Sequence, residues 1–204
     1  MTAVSKGACL FFVLSASLFA QHLDFGFDFG VKGGVPFTDV LTATGTINPS
    51  NTFIKRSDDY LIGPVAELRL PFGFALEVDG IYRGSQYQVT TNSIPSGSQV
   101  GMVNTTNINA QAWEIPYLAK FRFPIPLLKP FISAGGAYRS FTNLPNEIAP
   151  THNAFVLAGG LELRISRLRL SGEARWLRWG SNPSTNTLVR LAQNQGEVLF
   201  GFVF

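Results

Sequence analysis

The sequence predicts an all-β protein: eight antiparallel strands wound up and down into one closed transmembrane β-barrel. Three observations predict it. Apolar residues recur with a period of two in eight separate stretches. Short and long connections between those stretches take turns. Tyrosine and tryptophan gather at one end of the strands, on the apolar side. Composition agrees. Charged residues are 14% of the chain, against roughly 25% in soluble domains. With 18 Phe and 20 Gly the chain is oily and glycine-rich. Outside the N-terminus no apolar run approaches the ~20 residues that a spanning helix needs. The formal net charge is +3 with its basic residues scattered, so there is no nucleic-acid footprint.

The first element is an export signal. In "MTAVSKGACLFFVLSASLFAQ" Lys6 is the positive n-region and Ala8 to Phe19 the apolar h-region. Cleavage is expected between Ala20 and Gln21, with an unusual Leu18 at the −3 position. Residues 1–20 are thus read as a signal peptide and 21–204 as the barrel. The sole cysteine, Cys9, lies ahead of the apolar run rather than at the cleavage site, which argues against lipidation. The exported chain then has neither disulfide nor thiol chemistry.

The strands follow. "LDFGFDFGVK" puts Leu23, Phe25, Phe27, Phe29 and Val31 on one face and Asp24, Gly26, Asp28, Gly30 and Lys32 on the other. "YLIGPVAELRL" alternates Ile62, Ala66, Leu68 and Leu70 with Glu67 and Arg69. "FALEVDGIYR" alternates Leu76, Val78 and Tyr82 with Glu77, Asp79 and Arg83. "WEIPYLAKFRF" sets Trp113, Ile115, Tyr117, Ala119, Phe121 and Phe123 against Glu114, Lys120 and Arg122. "PFISAGGAYR" is weaker, with Ile132, Ala134 and Tyr138. "FVLAGGLELRI" carries Phe155, Leu157, Leu161, Leu163 and Ile165 against Glu162 and Arg164. "LRLSGEARW" carries Leu168, Leu170, Ala174 and Trp176 against Arg169, Glu173 and Arg175. "GEVLFGFVF" closes the chain with Val198, Phe200, Phe202 and Phe204 in alternation. Pro64 and Pro116 fall inside strands. Each removes a ladder hydrogen bond, so a bulge or strand end is expected near each.

Short connections lie at Pro71–Gly73, Pro124–Leu128 and Ser166–Arg167; long polar ones at Phe37–Asp59, Gly84–Asn109, Phe141–Asn153 and Gly180–Gln195. Their alternation puts every short turn at one end of the barrel. Period two alone does not say which face is outside, since a soluble carrier would turn its apolar face inward. The aromatic residues decide it. With strands oriented by loop length, Tyr60, Tyr82, Trp113, Tyr138 and Trp176 fall at the long-loop rim. Phe25, Phe121, Phe123 and Phe204 fall toward the other. Two aromatic girdles flanking an aliphatic band fit the two membrane interfaces. The apolar face therefore points to lipid and the charges point inward.

These stretches together resemble a family, the bacterial outer-membrane β-barrel domain. It is often called porin-like and is related in architecture to the small eight-stranded OmpA and OmpX barrels. The resemblance is carried by "GVKGGVPFTD", by Gly63–Arg83, Trp113–Phe123, Lys129–Arg139 and Glu173–Trp179, and covers most of the chain after the signal. It implies the fold, a place in the outer membrane with both termini periplasmic, outer-membrane lipid as surroundings, and periplasmic chaperones and the barrel assembly machinery as partners in biogenesis. The terminal Phe204 with Phe202, Phe200 and Val198 before it is similar to the signal which that machinery reads. Fold does not fix activity in such a family.

Eight strands leave an interior that side chains fill. Glu67, Glu77, Asp79, Glu114, Glu162 and Glu173 are expected to face Arg69, Arg83, Lys120, Arg122, Arg164, Arg169 and Arg175 there. Left unpaired, each would cost several kcal/mol. Arg69 is expected opposite or diagonal to Glu77, and Arg169 diagonal to Glu162. The reading is an ion-paired plug; the alternative is a small passive pore. Barrels of this size also include lipid-modifying enzymes and proteases, which need a general base at the outer rim. Only His22 and His152 are available. His22 sits at the wrong end, and His152 beside Thr151 lies in a loop. No catalytic, metal or cofactor site is expected, and no cofactor. The expected role is envelope integrity or surface interaction through the long loops.

Overall fold

The computed structural model describes residues 25–38, 41–43, 46–47, 50–93, 102–109, 111–142, 151–165, 168–181 and 189–204. The expected signal peptide, His22, Leu23 and Asp24 lie outside them, as does the turn at Ser166–Arg167. Eight strands build the barrel. They are β1 (Gly26–Pro36), β2 (Ser50–Arg69), β3 in two pieces (Phe74–Asp79 and Ile81–Ser93) and β4 in two pieces (Met102–Asn109 and Ala112–Arg122). The others are β5 (Leu128–Phe141), β6 (Asn153–Ile165), β7 (Leu168–Trp179) and β8 (Asn194–Val203). Each pairs antiparallel with the next along the chain. β8 then pairs with β1 from Gly30↔Val203 to Pro36↔Glu197, so the sheet closes and the barrel has no edge. Phe29 and Phe204 complete that seam by exchanging two backbone hydrogen bonds of 3.1 and 2.9 Å.

The period-two pattern sorts the faces as its chemistry requires. Phe27 is 58% exposed, Ile132 55% and Phe202 52%, all on the outer wall, while Arg83 is 0% and Arg175 1% exposed inside. Such a wall would be an aggregation surface in water; in a bilayer it meets acyl chains. Glycines let bulky rings lie flat on that wall. A Cβ at Gly136 would collide with the Tyr117 ring, and one at Gly84 with the Tyr60 ring.

The two interior prolines act on one point. Pro64 of β2 keeps its place opposite Val31 without a register shift. On its other side its carbonyl accepts from Gly80 N–H at 2.9 Å. Pro116 of β4 keeps its place opposite Ala137. From the far side it neighbours Asp79, since Tyr117 pairs with Val78 and Glu114 with Ile81. Neither proline donates, so β3 loses ladder partners on both flanks and is interrupted at Gly80. The irregularity beside the prolines falls in the strand between them, while the registers of Pro64 with Val31 and Pro116 with Ala137 run on unshifted.

The short turns are tight. Phe72 (φ 64°) and Gly73 (φ 83°) turn left-handed in the first, and Leu127 (φ 69°) does so in the second, where Leu128 N–H donates to Pro126 O at 2.9 Å. A bulky residue in that region is strained by roughly 1 kcal/mol.

The long-loop end departs from the sequence reading. The stretches 37–59 and 84–109 were expected as loops, yet β2 runs for 20 residues. Its upper part pairs with β3 from Asn51↔Asn92 to Ile62↔Tyr82. Upper β3 pairs in turn with Met102–Asn109 of β4. These three segments stand above the rim as a tongue, because β5 ends at Phe141 opposite Ala112. With water on both faces, nothing imposes an apolar–polar alternation on them, so periodicity did not reveal them. Leu41–Ala43 and Val189–Leu191 pair as a separate two-stranded sheet. Residues 143–150 lie outside the described ones.

Candidate functional site

The lumen holds most of the chain's chemistry, and it is built in layers from the short-turn rim upward. In the lowest layer Arg169 of β7 reaches Asp28 at 2.6 Å and Glu67 at 2.8 Å, with Glu162 at 3.4 Å. Arg122 pairs with Glu162 at 3.0 Å and also with Glu67. Arg69 pairs with Asp28 at 2.7 Å.

One level higher, register forces Glu67 directly opposite Glu77. Like charges so placed repel. Lys120, from β4, resolves this by contacting both, at 3.3 Å from Glu67 and closer to Glu77. Lys32 of β1 then takes Glu77 at 2.5 Å, Glu173 at 2.9 Å and Asp79 at 3.3 Å. Arg175 bridges Asp79 at 2.7 Å and Glu173 at 2.8 Å, and leads on to Glu197 at 3.7 Å.

The top layer changes character. Arg83 joins Glu197 at 2.8 Å and Glu114 at 2.9 Å. Arg139, 3.7 Å from Glu114, lies with its guanidinium carbon 3.7 Å from the Trp179 ring centroid and 4.5 Å from that of Phe141. Gln195 accepts from Arg139 at 3.2 Å and from Trp179 Nε1–H at 3.0 Å. Apolar side chains close the same region: Leu118, Ala137, Val156 and Leu177 on one side, Leu61, Ile81 and Leu199 on the other.

The pairs form one connected network. Its cations are Lys32, Arg69, Arg83, Lys120, Arg122, Arg139, Arg169 and Arg175; its anions are Asp28, Glu67, Glu77, Asp79, Glu114, Glu162, Glu173 and Glu197. Among the described residues these eight cations meet eight anions, and all eight strands contribute. Closure by charge of both signs satisfies each ion locally. It leaves no line of one sign to guide ions through.

Twelve of the thirteen residues read as lumen charges take part in these pairs. Arg164 lies opposite Arg169 on the inward face and is exposed at the short-turn rim, one residue before β6 ends at Ile165. Arg69 is diagonal to Glu77, since it pairs with Ala75, yet its charge is taken by Asp28 on the other neighbouring strand. Arg169 meets Glu162 as expected. Sequence reasoning left out Asp28, Lys32, Arg139 and Glu197. Parity was the available signal: each falls on the inward face of its strand.

On the outer wall Tyr60, Tyr82 and Trp113 form a row, with ring centroids 6.1 and 5.4 Å apart. Tyr138 and Trp176 are exposed on the same wall. Toward the short-turn rim Phe74, Phe121 and Phe123 make a second row, 5.0 and 5.2 Å apart. Phe200, Phe202 and Phe204 point outward from β8, and Val198 lies half-buried on the same face. His152 is held in the frame: Nδ1–H donates to the Arg139 carbonyl at 2.8 Å and the ring stacks on Tyr138 at 5.6 Å. Among the described residues no group of three or more His, Cys, Asp or Glu is arranged to hold a metal.

No protein-family model matches the chain. No curated protein matches it either. Solved structures do. The outer membrane protein OprG from Pseudomonas aeruginosa is similar with a TM-score of 0.52 at 10% identity, over 88% of this chain and 95% of that one. The fold is that of a bacterial outer-membrane β-barrel. The translocator domain of the autotransporter NalP from Neisseria meningitidis aligns over 98% of this chain and 95% of that one, with a TM-score of 0.32 and 9% identity. That likeness is too distant to carry an argument. At such identities the shared property is the barrel itself, and what this barrel does rests on its own residues.

Proposed function

We propose that this chain is an integral protein of a bacterial outer membrane whose barrel is plugged and non-enzymatic, and which serves envelope integrity or surface contact. The observation that carries this is the connected network of paired cations and anions spanning the lumen. Its members Lys32, Glu67, Glu77, Asp79, Arg83, Glu114 and Arg175 are each at most 2% exposed. A conducting pore keeps its lumen charges in water; here they are spent on one another. The apolar outer wall and its two aromatic rows support residence in lipid, with the short turns and both termini on the periplasmic side. The outward stripe of Val198, Phe200, Phe202 and Phe204 supports a role in recognition by the assembly machinery during biogenesis. His152, tied to a backbone carbonyl and a ring, is read as a structural residue.

Planar-bilayer recording tests the plug. The wild-type barrel is expected to stay at baseline, and a Lys32→Ala/Glu77→Ala variant to conduct, since both side chains at one node are removed. A steady open-channel current from the wild type would sink the plugged reading in favour of a small passive pore.

A further inference from the structure

The apolar outer wall is broken at one point on the side formed by β5–β8. The acidic residues of these strands, Glu162, Glu173 and Glu197, are all buried in the lumen. Of the described cations on the same strands, only Arg178 faces outward, on the same side of β7 as Trp176. It is exposed, and no carboxylate of β5–β8 shares its face. The lumen cations are spent on counter-ions within the protein; this one is not.

Its height says what can reach it. Arg178 stands two residues beyond Trp176 toward the long-loop end, about 5 Å higher once strand rise and tilt are counted. Tryptophan on a barrel wall marks the membrane interface. An outward arginine is costly at the bilayer midplane and tolerated only near that interface. Arg178 is therefore held at the level of lipid headgroups.

Its neighbours narrow the choice further. Directly opposite it lie Asn194 of β8 and Phe155 of β6. Asn153, two residues before Phe155 on the same face, is exposed like Asn194. Next to this polar group, Trp176 lies opposite Gly196, and the Phe37 ring covers that gap: a Cβ at Gly196 would collide with it. Phe37, Phe155 and Trp176 are all exposed. One guanidinium and two carboxamides thus adjoin a wall of rings. The guanidinium is a planar fork of donors suited to phosphate oxygens, and the amides add donors beside it. A molecule that brings a phosphate and an apolar chain together at this level is a lipid. We infer that Arg178, with Asn153 and Asn194, binds the phosphate of an anionic lipid in the leaflet at the long-loop rim. The inference rests on the membrane reading and adds to it one headgroup chemistry on one side of the barrel. On the other side β3 and β4 meet the interface with Tyr82 and Trp113, which carry no charge.

Trp176 itself supplies the readout. In a Trp113→Phe background it is the only tryptophan on the outer wall, since Trp179 is 2% exposed inside. The full barrel is placed in phosphatidylcholine vesicles that contain either phosphatidate or phosphatidylcholine brominated on the acyl chains. Quenching of tryptophan fluorescence is followed against mole fraction. Phosphatidate is expected to reach half-quenching at about one-fifth of the mole fraction that phosphatidylcholine needs, the factor equivalent to ~1 kcal/mol for one basic group at an anionic surface. Arg178→Gln is expected to bring the two lipids level. Equal quenching by both lipids with Arg178 in place would overturn the proposal, as would a phosphatidate preference that survives Arg178→Gln. Insertion is checked by a heat-dependent gel shift, because a closed barrel resists denaturing detergent until boiled. A barrel that shows the shift without the preference overturns the proposal alone. Absence of the shift with Arg178 in place would overturn the membrane reading and the proposal with it.

Discussion

The lumen and the tongue are made of the same strands and obey opposite rules. Inside the barrel, closure pairs every strand on both sides, and lipid outside drives charge inward, with Arg178 facing out only near the long-loop rim. There each ion must find a counter-ion, as Lys32 does with Glu77, Asp79 and Glu173. Above the rim β2, β3 and β4 continue with water on both faces, and β5 stops at Phe141. Charge is no longer required there, and between Arg83 and Glu114 there is none. The difference teaches that ion pairs and sheet closure hold the lower part of these strands, while the upper part is held by its own ladder.

The largest break in this contrast is expected at Arg175. It is buried and neutralises Asp79 and Glu173. Arg175→Met fills similar space but leaves two carboxylates with Lys32 alone between them. Removing one partner of a buried pair costs about 3–5 kcal/mol. The expected outcome is an unfolding free energy from urea titration lowered by that amount, with a correspondingly lower midpoint, in lipid or detergent, followed by the heat-dependent gel shift. An unchanged midpoint would mean that the lumen is wet enough to solvate the pair.

How far the sequence reveals this division follows from what constrains each part. Alternation was legible because one face must suit lipid; Phe27, Phe29 and Val31 against Asp28 and Lys32 leave no choice of period. Partners within a hairpin were legible too, as with Arg169 and Glu162, seven residues apart in sequence. Partners across the closed barrel were not. Lys32 meets Glu173 across 141 positions, a pairing set by the curvature of the whole sheet rather than by any turn. Arg69 shows the same limit: its hairpin diagonal was Glu77, but Asp28 on the other flank takes it. The tongue was invisible for the converse reason, since stretches wetted on both sides carry no pattern to read.

A smaller effect is expected at the boundary between the two regions. Arg139 loses little by way of ion pairing, because Glu114 keeps Arg83 at 2.9 Å. It is held chiefly over the rings of Trp179 and Phe141, with Gln195 accepting from it at 3.2 Å. Arg139→Met preserves the apolar stem and forfeits the cation–π contacts, at about 1–2 kcal/mol. The same unfolding assay should place this variant between the wild type and Arg175→Met. A loss as large as that of Arg175→Met would show that the top layer shares fully in the ionic network.

The smallest effect on the barrel is expected from removing the tongue. Gln86 pairs directly with Asn109, so residues 87–108 can be replaced by Asn-Gly, the two-residue turn that suits a twisted antiparallel hairpin. The ion network lies wholly below this level, its highest member on β3 being Arg83. The unfolding midpoint should therefore move by no more than about 0.5 kcal/mol, as for surface changes remote from core features. If instead the midpoint fell by as much as in Arg139→Met, β3 and β4 would be stabilised by their upper halves. The division between a lower part that holds the barrel and an upper part that adds nothing to its stability would then fail, because both parts would be holding it.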